Sequence, residues 1–114
     1  MIQQGEVYWL DLGSPTGHGL AYRHPYVVVQ GNLFNQSKIH TTVVCGITSK
    51  LNRAGYSGSV LLQKGEANLP KESVVNITQL YTVDRDYLVE KIGALSAERV
   101  VEIIKGIKIL LDTD

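Results

Sequence analysis

Pro25-Tyr26-Val27-Val28-Val29-Gln30 and Thr41-Thr42-Val43-Val44-Cys45-Gly46-Ile47-Thr48 are the stretches on which the fold turns. β-Branched side chains are stiff at χ1 and pack well on a pleated surface, so both stretches read as strands. The valines at 27, 28 and 29 are unbroken rather than alternating, which predicts a strand buried on both faces. In the second stretch Val43, Cys45 and Ile47 alternate with Val44 and Gly46, so Cys45 is expected in the core. On the N-terminal side, Glu6-Val7-Tyr8-Trp9-Leu10-Asp11-Leu12 reads as a strand that ends at the turn cluster Gly13-Ser14-Pro15. Ser59 to Gln63 and Ser73 to Leu80 supply further short strands, with most Gly, Asn, Ser and Pro in the loops between them. Short strands at this spacing, with no long helix between them, predict a small antiparallel barrel.

The C-terminal segment follows a different period. Val100, Ile103, Ile104, Ile107 and Leu111 recur at helical spacing, opposite Glu98, Arg99, Glu102, Lys105 and Lys108. Ser96 is the expected N-cap, and Glu98 stands in the first turn, where the helix dipole favours an acid. The apolar stripe is expected to pack on the barrel as a lid or to meet a second subunit. The expected class is therefore mainly β (α+β): a barrel with a C-terminal α-helix, residues 1–114 forming a single domain.

Composition narrows the setting. The 114 residues are 44% apolar and 19% charged, the balance of an ordinary folded domain. Glu6 and Asp11 interrupt the apolar character of the N-terminus, so no signal peptide is expected, and no run nears the ~20 apolar residues of a membrane span. The single cysteine, Cys45, excludes an internal disulfide and fits a reducing, cytoplasmic setting. No membrane partner is expected.

Charge is placed unevenly although it sums to zero. Residues 12–65 contain no Asp or Glu but hold Arg23, Lys38, Lys50, Arg53, Lys64 and all three histidines. Such a stretch can present an anion-binding face on a neutral protein. It cannot by itself supply paired carboxylates or an oxygen-ligand metal site. The spacing of His18, His24 and His40 matches no metal-ligand motif. Arg, Lys, His, Thr and Ser remain, a set suited to metal-free, cofactor-free work on a phosphate.

Two segments carry that chemistry. Gly17-His18-Gly19-Leu20-Ala21-Tyr22-Arg23-His24 is a Gly-rich loop running into a strand, where Pro25 forces His24 into an extended conformation. Gly46-Ile47-Thr48-Ser49-Lys50 ends the strand after it. If those two strands pair through their intervening turn, Arg23, His24, Thr48 and Ser49 meet at one rim. RNA cleavage needs little more, because the 2′-hydroxyl is itself the nucleophile. The protein must remove its proton, return one to the leaving 5′-oxygen and stabilise charge on phosphorus. Histidine titrates near neutrality and serves as acid or base; arginine offers a permanently charged fork matched to phosphate oxygens.

The same residues resemble a known family. Gly5-Glu6-Val7-Tyr8-Trp9-Leu10-Asp11-Leu12, Tyr22-Arg23-His24-Pro25 before valines and Ile47-Thr48-Ser49 come in the order seen in the MazF/PemK toxins of bacterial toxin–antitoxin systems. Ser73-Val74-Val75, Gln79, Tyr81-Thr82-Val83-Asp84 and Lys91-Ile92-Gly93 continue it. The resemblance implies a homodimeric, SH3-like barrel. It also implies sequence-selective cleavage of single-stranded RNA without a metal, leaving a 2′,3′-cyclic phosphate. Inhibition would come from a MazE-like antitoxin whose disordered tail covers the RNA groove. An Arg beside the loop's Pro and a Thr closing the next strand form the family's catalytic pair. The Thr falls on Thr48; His24 directly precedes Pro25 and Arg23 stands one residue earlier, so either can fill the Arg position.

The expected catalytic set is Arg23 for phosphate and transition-state stabilisation, His24 for acid/base work or phosphate contact, and Thr48 for orienting the phosphate. Gly17, His18, Tyr22, Ser49, Lys50, Arg53 and Gln79 are expected to bind RNA. Each has an ordinary alternative: Arg23 a solvated surface residue, His24 a rim hydrogen-bonder, Thr48 a strand-ending β-former, Ser49 a turn cap. Tyr22, Tyr26 and Phe34 can stack on bases or simply pack. Two other functions fit the same barrel: a module that holds RNA or protein without cutting, and a CcdB-like toxin directed at a topoisomerase. Fold alone does not separate them.

Overall fold

The computed structural model describes residues 1–12, 23–55 and 57–113, with the backbone alone at 53 and 54. Its sheet has six strands: β1 Glu6–Asp11, β2 Arg23–Val28, β3 Thr41–Thr48, β4 Val60–Leu62, β5 Ser73–Asp84 and β6 Glu90–Ala94. They lie in the order β4-β5-β3-β2-β1-β6 with every pairing antiparallel. The sheet curls into a half-barrel. A short helix, α1 (Asn32–Asn35), sits in the β2–β3 connection, and α2 (Ala97–Leu111) closes the chain. This is the mainly β architecture with a C-terminal helix that the sequence predicts.

The run of valines has the two-faced burial expected of it. Val27 and Val29 join Val7, Cys45, Ile47 and Val75 in one apolar cluster, which Ile103 of α2 completes. Val28 points the other way, into a cluster with Tyr8, Leu10, Tyr26, Val44 and Val83. Cys45 is fully buried, and burial pushes its thiol up to about 12, which leaves it a core residue rather than a nucleophile.

The strands differ from the sequence reading in several places: β1 stops at Asp11, β2 at Val28 instead of Gln30, and β4 spans only Val60–Leu62. β2 begins at Arg23 because Arg23 and His24 still find partners across the ladder, Asp11 and Leu10. β5 continues past Leu80 to Asp84 because its second half pairs with Thr41–Cys45 after a shift in register. β6 is a strand that its composition does not announce. Glu90, Lys91 and Gly93 have weak β character, and pairing with the edge of β1 imposes the conformation.

α2 starts as expected: the Ser96 hydroxyl accepts from the Arg99 backbone N–H, and Glu98 lies in the first turn. Its stripe is only partly covered. Ile103 is buried and Ile104 and Ile107 pack against the core, but Leu111 is 67% exposed. Arg99, expected on the solvated face, instead donates Nε and Nη2 to the two carboxylate oxygens of Glu66, both at 2.9 Å. The fork ties the helix to the 3₁₀ turn Glu66–Asn68.

Candidate active site

The rim foreseen from sequence forms where β2 begins and β3 ends. Tyr26 pairs with Gly46 and Val28 with Val44, and the same register carried two residues toward the rim sets His24 opposite Thr48. Side chains opposite one another in an antiparallel pair share a face. Neighbours along a strand do not. His24 therefore shares the Tyr26, Gly46 and Thr48 face, whereas Arg23 shares the Trp9 and Pro25 face.

A cleft opens on each side of this rim. The first, of about 210 Å³, is lined by His24, Tyr26, Gly46, Ile47, Thr48, Lys50, Asn76, Gln79 and Tyr81. The second, of about 260 Å³, takes His24, Ile47, Thr48 and Lys50 as its shared wall and adds Trp9, Arg23, Ser49, Pro70 and Lys71 among others. No Asp or Glu lines either one among the described residues, whereas Arg23, His24, Lys50 and Lys71 do. Five of the expected residues, Arg23, His24, Thr48, Ser49 and Lys50, thus share the second cleft.

A bulge shapes the first cleft. Cys45 pairs with Leu80 but Gly46 pairs with Asn76, so the ladder skips Ile77, Thr78 and Gln79 of β5. Bulges re-aim side chains, and this one lays Gln79 over Gly46. A Cβ on Gly46 would stand 2.6 Å from Gln79 Oε1, so only glycine leaves that space to the glutamine. Asn76 Oδ1 holds the bulge by accepting from the Thr78 backbone N–H at 3.2 Å and from the Thr78 hydroxyl at 2.6 Å. Tyr26 and Tyr81 meet edge to face, ring centroids 6.0 Å apart. Burial, with smaller contributions from Tyr81 and Asp11, raises the Tyr26 hydroxyl above its ordinary value, so it stays a neutral wall.

Thr48 Oγ1 accepts from the Lys50 backbone N–H at 3.2 Å. As an acceptor in that bond, the hydroxyl keeps its own hydrogen for another oxygen. The bond also fixes the turn that brings Lys50 between the clefts. Arg23 is engaged on its own side: Nη2 bonds Glu90 Oε2, and the guanidinium lies 5.3 Å from the centre of the Trp9 ring. It does not line the first cleft.

The other expected residues are placed apart from this rim or not described. Gly17, His18 and Tyr22 lie outside the described residues, as does the Arg53 side chain, whose backbone falls in the 3₁₀ turn Leu51–Gly55. Phe34 is exposed on α1 and His40 is exposed before β3, and neither lines a cleft. The residues that sequence reasoning missed are Lys71, Asn76 and Glu90. Asn76 acts through the bulge, and Lys71 and Glu90 reach the site from distant strands and loops, for which no local pattern exists.

Comparison with known proteins agrees with this architecture. Residues 3–111 match the family of PemK-like, MazF-like toxins of type II toxin–antitoxin systems. The chain is 35% identical to endoribonuclease MazF6 of Mycobacterium tuberculosis, over 98% of both chains. It is 32% identical to endoribonuclease MazF of Staphylococcus saprophyticus, over 97% of this chain and 92% of that one. A mycobacterial endoribonuclease solved in complex with its cognate antitoxin superposes with a TM-score of 0.78, each chain fully covered at 20% identity.

Proposed function

Because this chain belongs to the PemK-like, MazF-like toxin family, we propose that it is an endoribonuclease, the toxin half of a toxin–antitoxin pair. Its substrate is single-stranded RNA, mRNA above all, cut at selected sequences in the cytoplasm, with residues 1–114 acting as one toxin domain. The observation that carries this reading is the pair of carboxylate-free clefts meeting at His24, Thr48 and Lys50. A polyanion crossing that ridge meets no carboxylate in the lining of either cleft, and the Glu90 carboxylate beside them is held by Arg23.

On this reading the scissile phosphate sits on the ridge. The 2′-oxygen attacks phosphorus, the P–O2′ bond forms, the P–O5′ bond breaks, and a 2′,3′-cyclic phosphate and a 5′-hydroxyl result. His24, facing Thr48, exchanges protons with the attacking or leaving oxygen. The Thr48 hydroxyl donates to a nonbridging phosphate oxygen and orients it. Arg23, from the second cleft, supplies N–H donors to charge growing on phosphorus. Ser49, Lys50 and Gln79 hold flanking nucleotides, together with Gly17, His18, Tyr22 and Arg53. No step calls for a metal or cofactor.

The partners follow the family: a cognate antitoxin, MazE-like, whose disordered tail occupies the RNA groove, and a second copy of the chain. The solved relative with its antitoxin supports the first. Val101, Ile109, Leu110 and Leu111, left exposed on α2, offer apolar surface for the second. A barrel that binds without cutting is favoured by one observation, the engagement of Arg23 by Glu90. Incubation with long single-stranded RNA in excess EDTA separates the two. Discrete fragments with cyclic-phosphate ends, reduced roughly 10²–10³-fold by Thr48→Ala, are expected for loss of one preorganised donor. Intact RNA from a folded sample would overturn the nuclease reading.

A further inference from the structure

Arg23 is held by two residues that come together only in the folded sheet. Trp9 of β1 pairs on one side with Pro25 of β2 and on the other with Glu90 of β6. Its ring therefore lies between the strand that carries Arg23 and the strand that carries Glu90. The guanidinium rests 5.3 Å from the ring centre and gives Nη2 to the Glu90 carboxylate. A free arginine side chain samples many rotamers, and ordering it opposes any bond it makes. Here a flat aromatic face fixes the plane of the fork and a carboxylate fixes its rotation.

We propose that Trp9 and Glu90 are positioning residues that hold Arg23 at the mouth of the second cleft for the reacting phosphate; this rests on the ribonuclease reading above. A guanidinium has five N–H donors, and among the described residues the side-chain bond it makes is the one from Nη2 to Glu90, which leaves donors for phosphate oxygens. The pair also suits reversible use. Its side chains are 35% and 57% exposed, and ion pairs that solvent reaches so freely hold only weakly. Glu90 orients the arginine without competing strongly for it. The clamp accounts for the register of the chain too. Arg23 lies on the opposite face from His24 and Thr48, and a side chain starting there needs an external guide to serve the shared ridge.

The test is kinetic, with a spectroscopic reading of the clamp itself. Glu90→Ala is expected to lower kcat about tenfold with little change in KM, a smaller loss than the ~10²–10³ for removing a donor outright. In an Arg23→Ala background Glu90→Ala should cost nothing further. Trp9→Phe should keep most activity and Trp9→Leu should not, because only the former retains a ring face. The Arg23 Nε–H resonance, identified by its loss in Arg23→Ala, should shift in Glu90→Gln and in Trp9→Leu. A rise in activity or affinity on removing Glu90 would make it a mere like charge to RNA and overturn the proposal. So would an equal Glu90→Ala loss with and without Arg23, or an unmoved resonance. Resonance shifts in those variants, together with RNA left intact by the wild-type protein, would instead overturn the nuclease reading, with the clamp standing.

Discussion

Gly46 and Gln79 show how one residue's size sets the shape of the site. The glutamine reaches into the first cleft only because nothing projects from Gly46 beneath it. In Gly46→Ala the new methyl meets mainly the end of a flexible side chain, which can swing away, although Gln79 Cβ is also close at 3.2 Å. The expected outcome is a protein destabilised by no more than about 2 kcal/mol in urea unfolding, within the usual range for point substitutions. Its cleavage pattern on a long RNA should match that of Gln79→Ala. Unchanged site selection in both variants would show that Gln79 does not read bases. At this scale the sequence was legible in types and blind to direction. It marked Arg23 and His24 beside a glycine-rich loop and Thr48 at the end of a strand, and the family resemblance added Gln79. It did not show that the alternation of β2 sends Arg23 and His24 to opposite faces, because that depends on where the strand begins.

Among the elements, α2 is the one whose docking is decided by backbone contact. Gly106 of the helix lies against Gly58, whose φ is +84°. A Cβ on Gly106 would stand 2.1 Å from the Gly58 carbonyl oxygen, a backbone atom that cannot swing aside. Alanine is favoured over glycine inside a helix by about 1 kcal/mol. A clash of this depth reverses that gain, since the helix must lift and partly expose Ile103, and truncating a buried Ile typically loses ~2–5 kcal/mol. Gly106→Ala is therefore expected to lower the urea midpoint, whereas a surface glycine such as Gly31, whose Cβ would meet nothing within 4 Å, should tolerate alanine. A raised midpoint for Gly106→Ala would show that the helix is not seated on Gly58. The helix itself was plain in the sequence, from its 3.6-residue period and Ser96 cap. β6 was not, because Glu90-Lys91-Ile92-Gly93-Ala94 becomes a strand through the open edge of β1 and not through its own residues.

Across the whole molecule, two buried or half-buried carboxylates tie distant segments together: Glu6 joins the N-terminus to β6, and Glu66 joins a 3₁₀ turn to α2. Glu6 loses hydration, which raises its pKa, but bonds from Lys91, the Gln3 backbone N–H and Tyr8 outweigh this and leave it below its ordinary value. The two bonds from Arg99 hold Glu66 below its ordinary value in the same way. A carboxylate with a lowered folded pKa stabilises the fold above its unfolded value, near 4.5, and that stability is lost as pH falls through the folded value. Unfolding free energy should hold steady above about pH 5.5 and fall below pH 4.5. Glu66→Gln should flatten part of that fall, as urea titrations at stepped pH would show; an unchanged slope would mean that Glu66 is not held by Arg99 in solution. The class of the fold can be read from the chain alone, since β-branched runs, a period-3.6 helix and glycine turns are local signals that each segment carries. The chemistry on offer is legible there too, because residues 12–65 lack carboxylates whatever shape they take. Which groups meet is a matter of long-range packing. The three-residue shift of β5, the edge pairing of β6 and the Gly58–Gly106 contact join residues far apart in the chain, where register and close packing, not local preference, choose the neighbours.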